Sequence, residues 1–385
     1  MADINTFTCI NRIIQGRNSL RQLPDEVSKL KAKRVLIVTD PGLTKTDIPL
    51  KVLAQLQGFD TEVYSEVEPD PSIETIGTCA DFVRRGRFDM IIGLGGGSAI
   101  DTAKCAAVLA RNEGDVQQFL GIEKLHNPGL PKILIPTTAG TGSEVTNIAV
   151  LSLKQAHTKK GIVSRFLFAD AAILDPELTV NLPSAITAST GMDALTHAIE
   201  AYVSRFRQPL TDHFALEAIR LIGANLRTAV HFGANIEARE AMLTASLYAG
   251  LAFGSAATGM VHGLAMPLGG QFNVPHGVAN AVLLTHVMRF NMVSDLNRYR
   301  DIAVAMGERV EHLSVRDGAL RGIEAVASLA QDVGIPSLQS LSIPREAIDA
   351  LATDGMSNSR QILPNPRNVT YDGLVGILNQ AFDVN

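Results

Sequence analysis

The sequence predicts two domains, an α/β domain built on a parallel sheet followed by an all-α domain. In the first half, short β-branched runs alternate with segments of helical periodicity, the pattern of parallel strands covered by helices on both faces. Beyond Pro183, segments rich in Ala, Leu and Met follow one another with almost no strand signal. At 385 residues, the chain is also longer than one hydrophobic core usually serves. We therefore expect an α/β domain over residues 1–182 and an all-helical domain over residues 183–385.

Each element of the first domain has its own signal. Strands are expected where short apolar or alternating runs end in turn residues, and helices where apolar residues recur every three or four positions. In chain order, the expected elements are a strand at Arg34–Thr39, a strand at Phe59–Val67, a helix at Ser72–Arg85, a strand at Met90–Leu94, a helix from about Ser98 to Arg111 and a strand at Lys132–Ile135.

Composition and charge exclude several classes of protein. Hydrophobic residues make up 46% and charged residues 19%, which suits an enzyme with a large interior. A net charge of −5 without a basic run argues against nucleic-acid binding, and no apolar run approaches the roughly 20 residues that span a bilayer. The N-terminus lacks the features of a signal peptide. The three cysteines are widely spaced, without a Cys-x-x-Cys, and suit a reducing compartment. We expect a cytoplasmic protein that acts on a small molecule.

The clearest nucleotide-binding signal is the glycine-rich segment Gly93–Lys104, GLGGGSAIDTAK. It follows a predicted strand and opens a predicted helix, where backbone N–H groups and the positive helix end can receive a pyrophosphate. Gly95, Gly96 and Gly97 remove the β-carbons that would hold phosphates away from the backbone, and Ser98 suits a helix N-cap. Ser98 also replaces the third glycine of the G-x-G-x-x-G fingerprint. A tight strand-to-helix turn without a ligand is therefore the alternative interpretation.

Two further groups of polar residues follow predicted strands, where open α/β sheets bind ligands. One is a loop with a dense set of small hydroxyls, namely Thr137, Thr138, Thr141 and Ser143. The other is Asp40, which ends the strand RVLIVT. A carboxylate there can accept hydrogen bonds from the adenosine ribose and repel a 2′-phosphate, which favours NAD over NADP. A hydroxyl-rich turn and turn initiation before Pro41 are the alternatives.

Four residues of the second half could form one metal site. Asp193 and His197 lie four positions apart in a predicted helix and so share a face. His262 begins an apolar helical stretch, and His276 lies in a Pro-His-Gly turn. One carboxylate and three imidazoles can hold a divalent ion and leave a position open for substrate. For each histidine alone, a hydrogen-bonded core residue is the alternative.

Together these motifs resemble the iron-containing (group III) alcohol dehydrogenase family. The resemblance rests on GGGSAIDTAK, PTTAGTGSEVT, DPELT, GMDALTHAIEAYVS and VHGLAMPLGGQFNVPHGVANA, in this order. It implies a Rossmann-like N-terminal domain, a helical C-terminal domain, the two-domain architecture of dehydroquinate synthases, and a homodimer or larger homo-oligomer. The implied metal ligands are Asp193, His197, His262 and His276. The implied cofactor contacts are Asp40, Gly96, Gly97, Ser98, Asp101, Thr137, Thr138, Thr141 and Lys159.

The resemblance implies an NAD(H)-dependent, metal-dependent enzyme that transfers hydride directly to or from short primary alcohols, diols or aldehydes. The implied ion is Fe²⁺, although the donor set also suits Zn²⁺. Two alternatives share the architecture: a metal- and NAD-dependent lyase of the dehydroquinate synthase type, and a maleylacetate reductase-like enzyme that needs no metal. The family commonly has a second histidine four residues after His262, where this chain has Met266. We expect this change to alter substrate preference or proton relay.

Overall fold

The computed structural model describes residues 4–156 and 158–383. The chain divides into two compact units. One is Cys9–Asn181, and the other is the chain from Leu182 onward together with the segment that precedes Cys9. The first unit is α/β and the second is helical, so the predicted fold class is confirmed.

The α/β unit contains two sheets. Its strands are β1 (Ile13–Gln15), β2 (Arg34–Val38), β3 (Asp60–Tyr64), β4 (Met90–Gly95), β5 (Gly121–Ile122), β6 (Lys132–Pro136), β7 (Ile148–Leu153), β8 (Thr158–Val163) and β9 (Ala171–Leu174). Its helices are α1 (Leu23–Lys29), α2 (Ile48–Gln55), α3 (Ile73–Gly86) and α4 (Gly97–Leu109). The six-stranded sheet is parallel in the order β1-β9-β6-β4-β2-β3, and the smaller sheet has the order β5-β8-β7.

Burial on both faces explains why the central strands are apolar beyond their first residues. Val35, Leu36, Ile37 and Val38 of β2 are all fully buried. Val35 and Ile37 pack into the core under α1 and α2. A second core, which includes Cys105 of α4 and Leu151 of β7, lies elsewhere in the unit. Because β2, β4 and β6 are neighbours and parallel, their carboxyl ends meet at one edge of the sheet.

The helical unit contains no strand in its described residues. Its helices are α5 (Ser184–Val203), α6 (Pro209–His231), α7 (Ile236–Ala256), α8 (Met260–Phe272), α9 (His276–Asn291), α10 (Leu296–Ala305), α11 (Val315–Asp332), α12 (Ile348–Ser357), α13 (Ser359–Ile362) and α14 (Tyr371–Asp383). Among the described helices, none is by itself long and apolar enough to cross a membrane; α7 and α8, which meet at 103°, pass that test of length and composition only as a bent pair.

Helix α8 contains a proline in its interior. Pro267 has no N–H to donate to the carbonyl of Gly263, four residues earlier. The side-chain amide of Asn358 donates to that carbonyl instead, at 2.9 Å. The backbone acceptor that the proline leaves unsatisfied therefore has a partner, and the helix continues to Phe272.

Candidate functional site

The glycine turn after β4 packs directly against the hydroxyl-rich loop after β6. The backbone N–H of Thr137 donates to the carbonyl of Gly95, at 3.0 Å, and Gly95 has a φ of 146°, in the region that favours glycine. A β-carbon added at Gly96 would lie 3.3 Å from Cγ2 of Thr138, and one at Gly97 only 2.8 Å from Cγ2 of Thr141. Glycine is therefore required here for the two loops to meet.

Asp40 belongs to the same edge of the sheet. Its Oδ1 accepts hydrogen bonds from the backbone N–H groups of Gly42, at 2.9 Å, and Leu43, at 3.0 Å. Its Oδ2 faces the glycine turn, 3.3 Å from where a β-carbon would stand on Gly95. The turn-forming and ligand-facing interpretations of Asp40 are thus compatible, because each uses a different carboxylate oxygen.

Ser98 does not cap helix α4, contrary to the expectation from the sequence. The N-cap is Gly96, whose extended backbone leads into a helix that begins at Gly97. The Ser98 hydroxyl instead accepts a hydrogen bond from the backbone N–H of Asp70, at 3.1 Å. Oδ2 of Asp70 in turn forms an ion pair with the buried ammonium of Lys159, at 2.8 Å. Asp70 thus links two of the expected cofactor residues, Ser98 and Lys159.

A buried ion pair holds the hydroxyl-rich loop against α4. The ammonium of Lys104, which is fully buried, lies 3.2 Å from Oδ1 of Asp101. It donates to the carbonyl of Ser143, at 2.9 Å, to the Ser143 hydroxyl, at 2.6 Å, and to the carbonyl of Ile148. Asp101 accepts hydrogen bonds from the Ser143 hydroxyl and from the backbone N–H of Val150. Both charges are therefore satisfied within the protein, and together they fix the loop in place.

Glu144 lies next to this network and is almost fully buried. Its Oε1 has no hydrogen-bond partner in the described chain. Burial raises the pKa of Glu144 to about 7, against the lowering influence of the Lys104 charge. The carboxyl group is therefore partly protonated near neutral pH.

The four expected metal ligands come from three helices of the helical unit. Asp193 and His197 lie one turn apart on α5, His262 lies in the first turn of α8, and His276 is the first residue of α9. The expectation that His276 lies in a turn is wrong. Pro275, at the N-cap of α9, has the fixed φ that suits a helix start, so the Pro-His-Gly segment begins a helix.

Side-chain atoms of these residues approach one another where Asp193, His197 and His262 are buried and the side chain of His276 is 31% exposed. Oδ1 of Asp193 lies 3.8 Å from Nε2 of His276 and 3.9 Å from Nε2 of His262. Nε2 of His262 lies 3.0 Å from Nε2 of His197. One donor atom each from Asp193, His262 and His276 lies within 4.8 Å of the others, a spacing that suits a shared ion.

The amide of Asn280 marks the point where these atoms converge. Its Nδ2 lies 2.6 Å from Oδ1 of Asp193, 3.1 Å from Nε2 of His262 and 3.2 Å from Nε2 of His276. Its Oδ1 is buried and has no hydrogen-bond partner in the described chain. An N–H group thus stands where three acceptor atoms point, and a cation suits the same three acceptors. The residues present therefore fit a divalent metal ion.

Charge and packing also favour a cation here. Burial alone would raise the pKa of Asp193, but the imidazoles of His197, His276 and His262 hold it below its usual range. The ring of Phe253 stacks on that of His197, with centroids 4.2 Å apart and planes inclined by 17°. The carboxylate is thus ionised, and one imidazole is fixed by an apolar neighbour. Phe253 is itself buried, so it packs in the core while contacting a site residue.

Comparison with known proteins identifies the family. Residues 11–176 match the profile of "Iron-containing alcohol dehydrogenase", and residues 187–382 match "Fe-containing alcohol dehydrogenase family, C-terminal". The chain belongs to the iron-containing alcohol dehydrogenase family. Membership confirms the expected enzyme class, an oxidoreductase of the alcohol dehydrogenase type.

Individual members of the iron-containing alcohol dehydrogenase family are similar over nearly the whole chain. Long-chain-alcohol dehydrogenase 1 of Geobacillus thermodenitrificans is 45% identical, over 95% of this chain and 94% of its own. The crystal structure of a 1,3-propanediol oxidoreductase has a TM-score of 0.96 at 40% identity, covering 99% of this chain and all of that one. Sulfoacetaldehyde reductase from Bifidobacterium kashiwanohense, solved in complex with NAD⁺, has a TM-score of 0.90 at 29% identity and covers both chains fully.

Several residues that shape these sites are not among those expected from the sequence, although Asn280, Glu200 and Lys104 lie within the motifs that carry the family resemblance. Asn280 and Glu200 contact the expected ligands, while Asp70 and Lys104 anchor the expected cofactor loops. Lys104 lies inside the glycine-rich motif, so its position could have drawn attention, but its partners at Ser143 and Ile148 are about forty residues away. Only the fold reveals these contacts.

Proposed function

We propose that the protein is an NAD(H)- and metal-dependent alcohol dehydrogenase that interconverts short primary alcohols or diols and the matching aldehydes by direct hydride transfer. The observation that carries the proposal is the convergence of donor atoms from Asp193, His262 and His276, with Nε2 of His197 3.0 Å from Nε2 of His262. The activities named for the relatives, on long-chain alcohols and on 1,3-propanediol, support an alcohol or aldehyde substrate. The family match favours this function over the lyase and the metal-independent reductase.

In the helical unit, we assign Asp193, His262 and His276, together with the neighbouring His197, as metal ligands. A divalent ion held there, Fe²⁺ or Zn²⁺, supplies Lewis-acid polarisation of the substrate oxygen. Asp193 contributes the negative charge that offsets part of the ion's charge. Phe253 fixes the orientation of His197 and limits water around it.

In the α/β unit, we assign the edge formed by β2, β4 and β6 as the nucleotide site. The backbone at Gly96 and Gly97 lies at the positive end of α4 and would receive the pyrophosphate. Oδ2 of Asp40 would accept a hydrogen bond from the adenosine ribose and disfavour a 2′-phosphate. The remaining contacts are assigned to Ser98, Asp101, Thr137, Thr138, Thr141 and Lys159. NAD(H) held by these residues would supply the hydride acceptor or donor of the reaction.

The proposal is tested by anaerobic reconstitution of the metal-free protein with Fe²⁺ or Zn²⁺. Each preparation is assayed with NAD⁺ and NADP⁺ against short primary alcohols, diols and long-chain alcohols, and with NADH against the aldehydes. We expect metal-dependent turnover with NAD(H) exceeding that with NADP(H). The control variant Asp193→Ala should lose metal and activity together. Absence of turnover with every metal and substrate refutes the proposal.

Two further expectations stay predictions. A cytoplasmic location fits the thiols, because Cys9, Cys79 and Cys105 are all free and two of them are buried. The homodimer or larger oligomer implied by the family resemblance is tested by light scattering on the purified protein.

A further inference from the structure

We infer that Glu200 is a positioning residue that determines which ring nitrogen of His262 carries the proton, and therefore which nitrogen can bind the metal. The inference rests on the proposed metal site and adds to it a residue outside the four ligands. Glu200 lies on α5, seven residues after Asp193 and three after His197, and its side chain is 5% exposed. A carboxylate this deeply buried needs partners that satisfy it.

The two carboxylate oxygens of Glu200 have different partners on α8. Oε2 lies 2.6 Å from Nδ1 of His262. Oε1 accepts a hydrogen bond from the backbone N–H of Val261, at 2.7 Å. Because an ionised carboxylate only accepts hydrogen bonds, Nδ1 of His262 must carry the proton that it donates. The neutral ring then has its lone pair on Nε2, the nitrogen that faces Asp193 and His197.

The bond to Val261 gives Glu200 a second role, as an N-cap supplied from another helix. The N-cap residue of α8 is Gly259, which has no side chain, so the first N–H groups of the helix depend on outside acceptors. Glu200 accepts from the backbone N–H of Val261, and Oδ1 of Asn365 accepts a longer hydrogen bond from the backbone N–H of Met260, at 3.4 Å. A β-carbon at Gly259 would lie 3.1 Å from Oε1 of Glu200.

One carboxylate thus joins the backbone start of α8 to the ring of His262. It fixes the helix and the imidazole with respect to α5, which carries Asp193 and His197. Carboxylates in this arrangement orient a ligating histidine, and removing them lowers metal affinity roughly ten- to hundredfold. The two roles can be separated. A carboxylate oxygen or an amide oxygen can equally accept from the N–H of Val261, whereas Nδ1 of His262 keeps its proton only if the group that faces it is also an acceptor.

The variant Glu200→Gln separates the two roles. Glutamine has nearly the same shape, and its amide oxygen can still accept from Val261. Its amide nitrogen then faces Nδ1 of His262 and donates to it, which favours the ring form with the proton on Nε2. That form cannot bind a metal through Nε2. If the glutamine amide rotates by half a turn, its oxygen accepts from Nδ1 of His262 as the carboxylate does. Its amide nitrogen then faces the backbone N–H of Val261, and that hydrogen bond is lost.

The test measures metal affinity and folding separately. Dissociation constants for Zn²⁺ and Co²⁺ are obtained by competition with a chromophoric chelator, and melting temperatures are measured on the metal-free full-length protein. For Glu200→Gln, we expect affinity to fall roughly ten- to hundredfold, a changed Co²⁺ absorption spectrum, and a melting temperature close to that of the wild type. The control Asn365→Ala weakens the start of α8 without contacting His262 and should lower the melting temperature with a much smaller loss of affinity.

The outcomes are distinguishable. If the wild type binds metal and Glu200→Gln binds it equally well at an unchanged melting temperature, or if affinity falls as far in Asn365→Ala, Glu200 does not act through His262 and the inference is overturned while the proposed function stands. Equal affinity with a lowered melting temperature indicates the rotated amide, and the pair Glu200→Asp and Glu200→Asn then decides. If the wild type binds neither metal, both fail. Should Glu200→Gln not fold, the pair Glu200→Asp and Glu200→Asn repeats the comparison one methylene shorter. Equal affinity in that pair overturns the inference, and tighter binding by Glu200→Asp supports it.

Discussion

Replacing Lys104 by methionine tests whether the buried ion pair holds the cofactor loop as the structure indicates. Methionine matches the length of the lysine stem but has no N–H to donate. The change leaves the carbonyls of Ser143 and Ile148 without this donor and leaves the charge of Asp101 without its partner. Removing one member of a buried pair costs about 3–5 kcal/mol. For a unit of this size, each kcal/mol lowers the melting temperature by about 2–4 °C. The expected fall is therefore about 6–20 °C.

The assay is thermal unfolding of the metal-free protein, with NAD⁺ affinity measured by calorimetry below the transition. Affinity should fall in Lys104→Met because the loop that carries Thr141 and Ser143 is no longer anchored. The double variant Asp101→Asn, Lys104→Met removes both charges and should recover part of the lost stability. Lys160→Met is the matched control, since Lys160 is exposed on β8. If Lys104→Met melts within about 2 °C of the wild type, the argument for a stabilising ion pair is refuted.

Three further predictions concern Glu144, Gly97 and Met266. Burial raises the pKa of Glu144 from 4.5 to about 7, so the folded state keeps a proton that the unfolded state releases. The free energy of unfolding should therefore fall by roughly 3 kcal/mol as pH rises from 4.5 to 7.5, and this fall should be absent in Glu144→Gln. Urea titrations of both proteins at the two pH values measure it. Gly97→Ala places a methyl group 2.8 Å from Thr141. Overpacking should lower the free energy of unfolding by about 1–3 kcal/mol in urea titrations, and the resulting displacement of the loop should weaken NAD⁺ binding in calorimetry. Met266→His should shift the pH dependence or substrate preference of turnover while metal content stays at the wild-type level.

Each of these has a result that contradicts it. For Glu144, the same pH dependence in wild type and Glu144→Gln would show that another group is responsible. Gly376→Ala is the control for Gly97→Ala, because a β-carbon there meets nothing within 4 Å; equal NAD⁺ affinity in both variants would count against the contact with Thr141. Loss of metal in Met266→His would mean that position 266 takes part in the metal site.

The sequence predicted an element correctly where the local residue pattern matches the burial of that element in the fold. The β2 segment is apolar from Val35 to Val38 because both faces of its strand are buried there, and helix α3 begins one residue after its predicted start because Ser72 is its N-cap. The short edge strand β1 and the polar strand β8 could not be predicted, since β1 has three residues and β8 contains two lysines. Their strand conformation comes from pairing with distant segments.

For the candidate site, residue types predicted the donors but not what holds them. Asp193 and His197 could be paired from their helical spacing. Glu200 lies sixty-two positions from its partner His262, and nothing in the local sequence indicates that contact. Pro275 and the glycine after His276 suggested a turn because both residues commonly punctuate structure, although proline equally suits the start of a helix. Such choices depend on tertiary packing, which single-residue preferences do not contain.

The spread of the proposed ligands over α5, α8 and α9 has a consequence for the lifetime of the protein in a cell. A bound ion would cross-link three helices, and a ligand present at a hundred times its dissociation constant stabilises the folded state by about 2.7 kcal/mol. Metal-starved cells would then hold more unfolded chain, which proteases remove. Iron or zinc supply would set the amount of this enzyme as well as its activity, so protein abundance would fall during metal limitation even with unchanged synthesis.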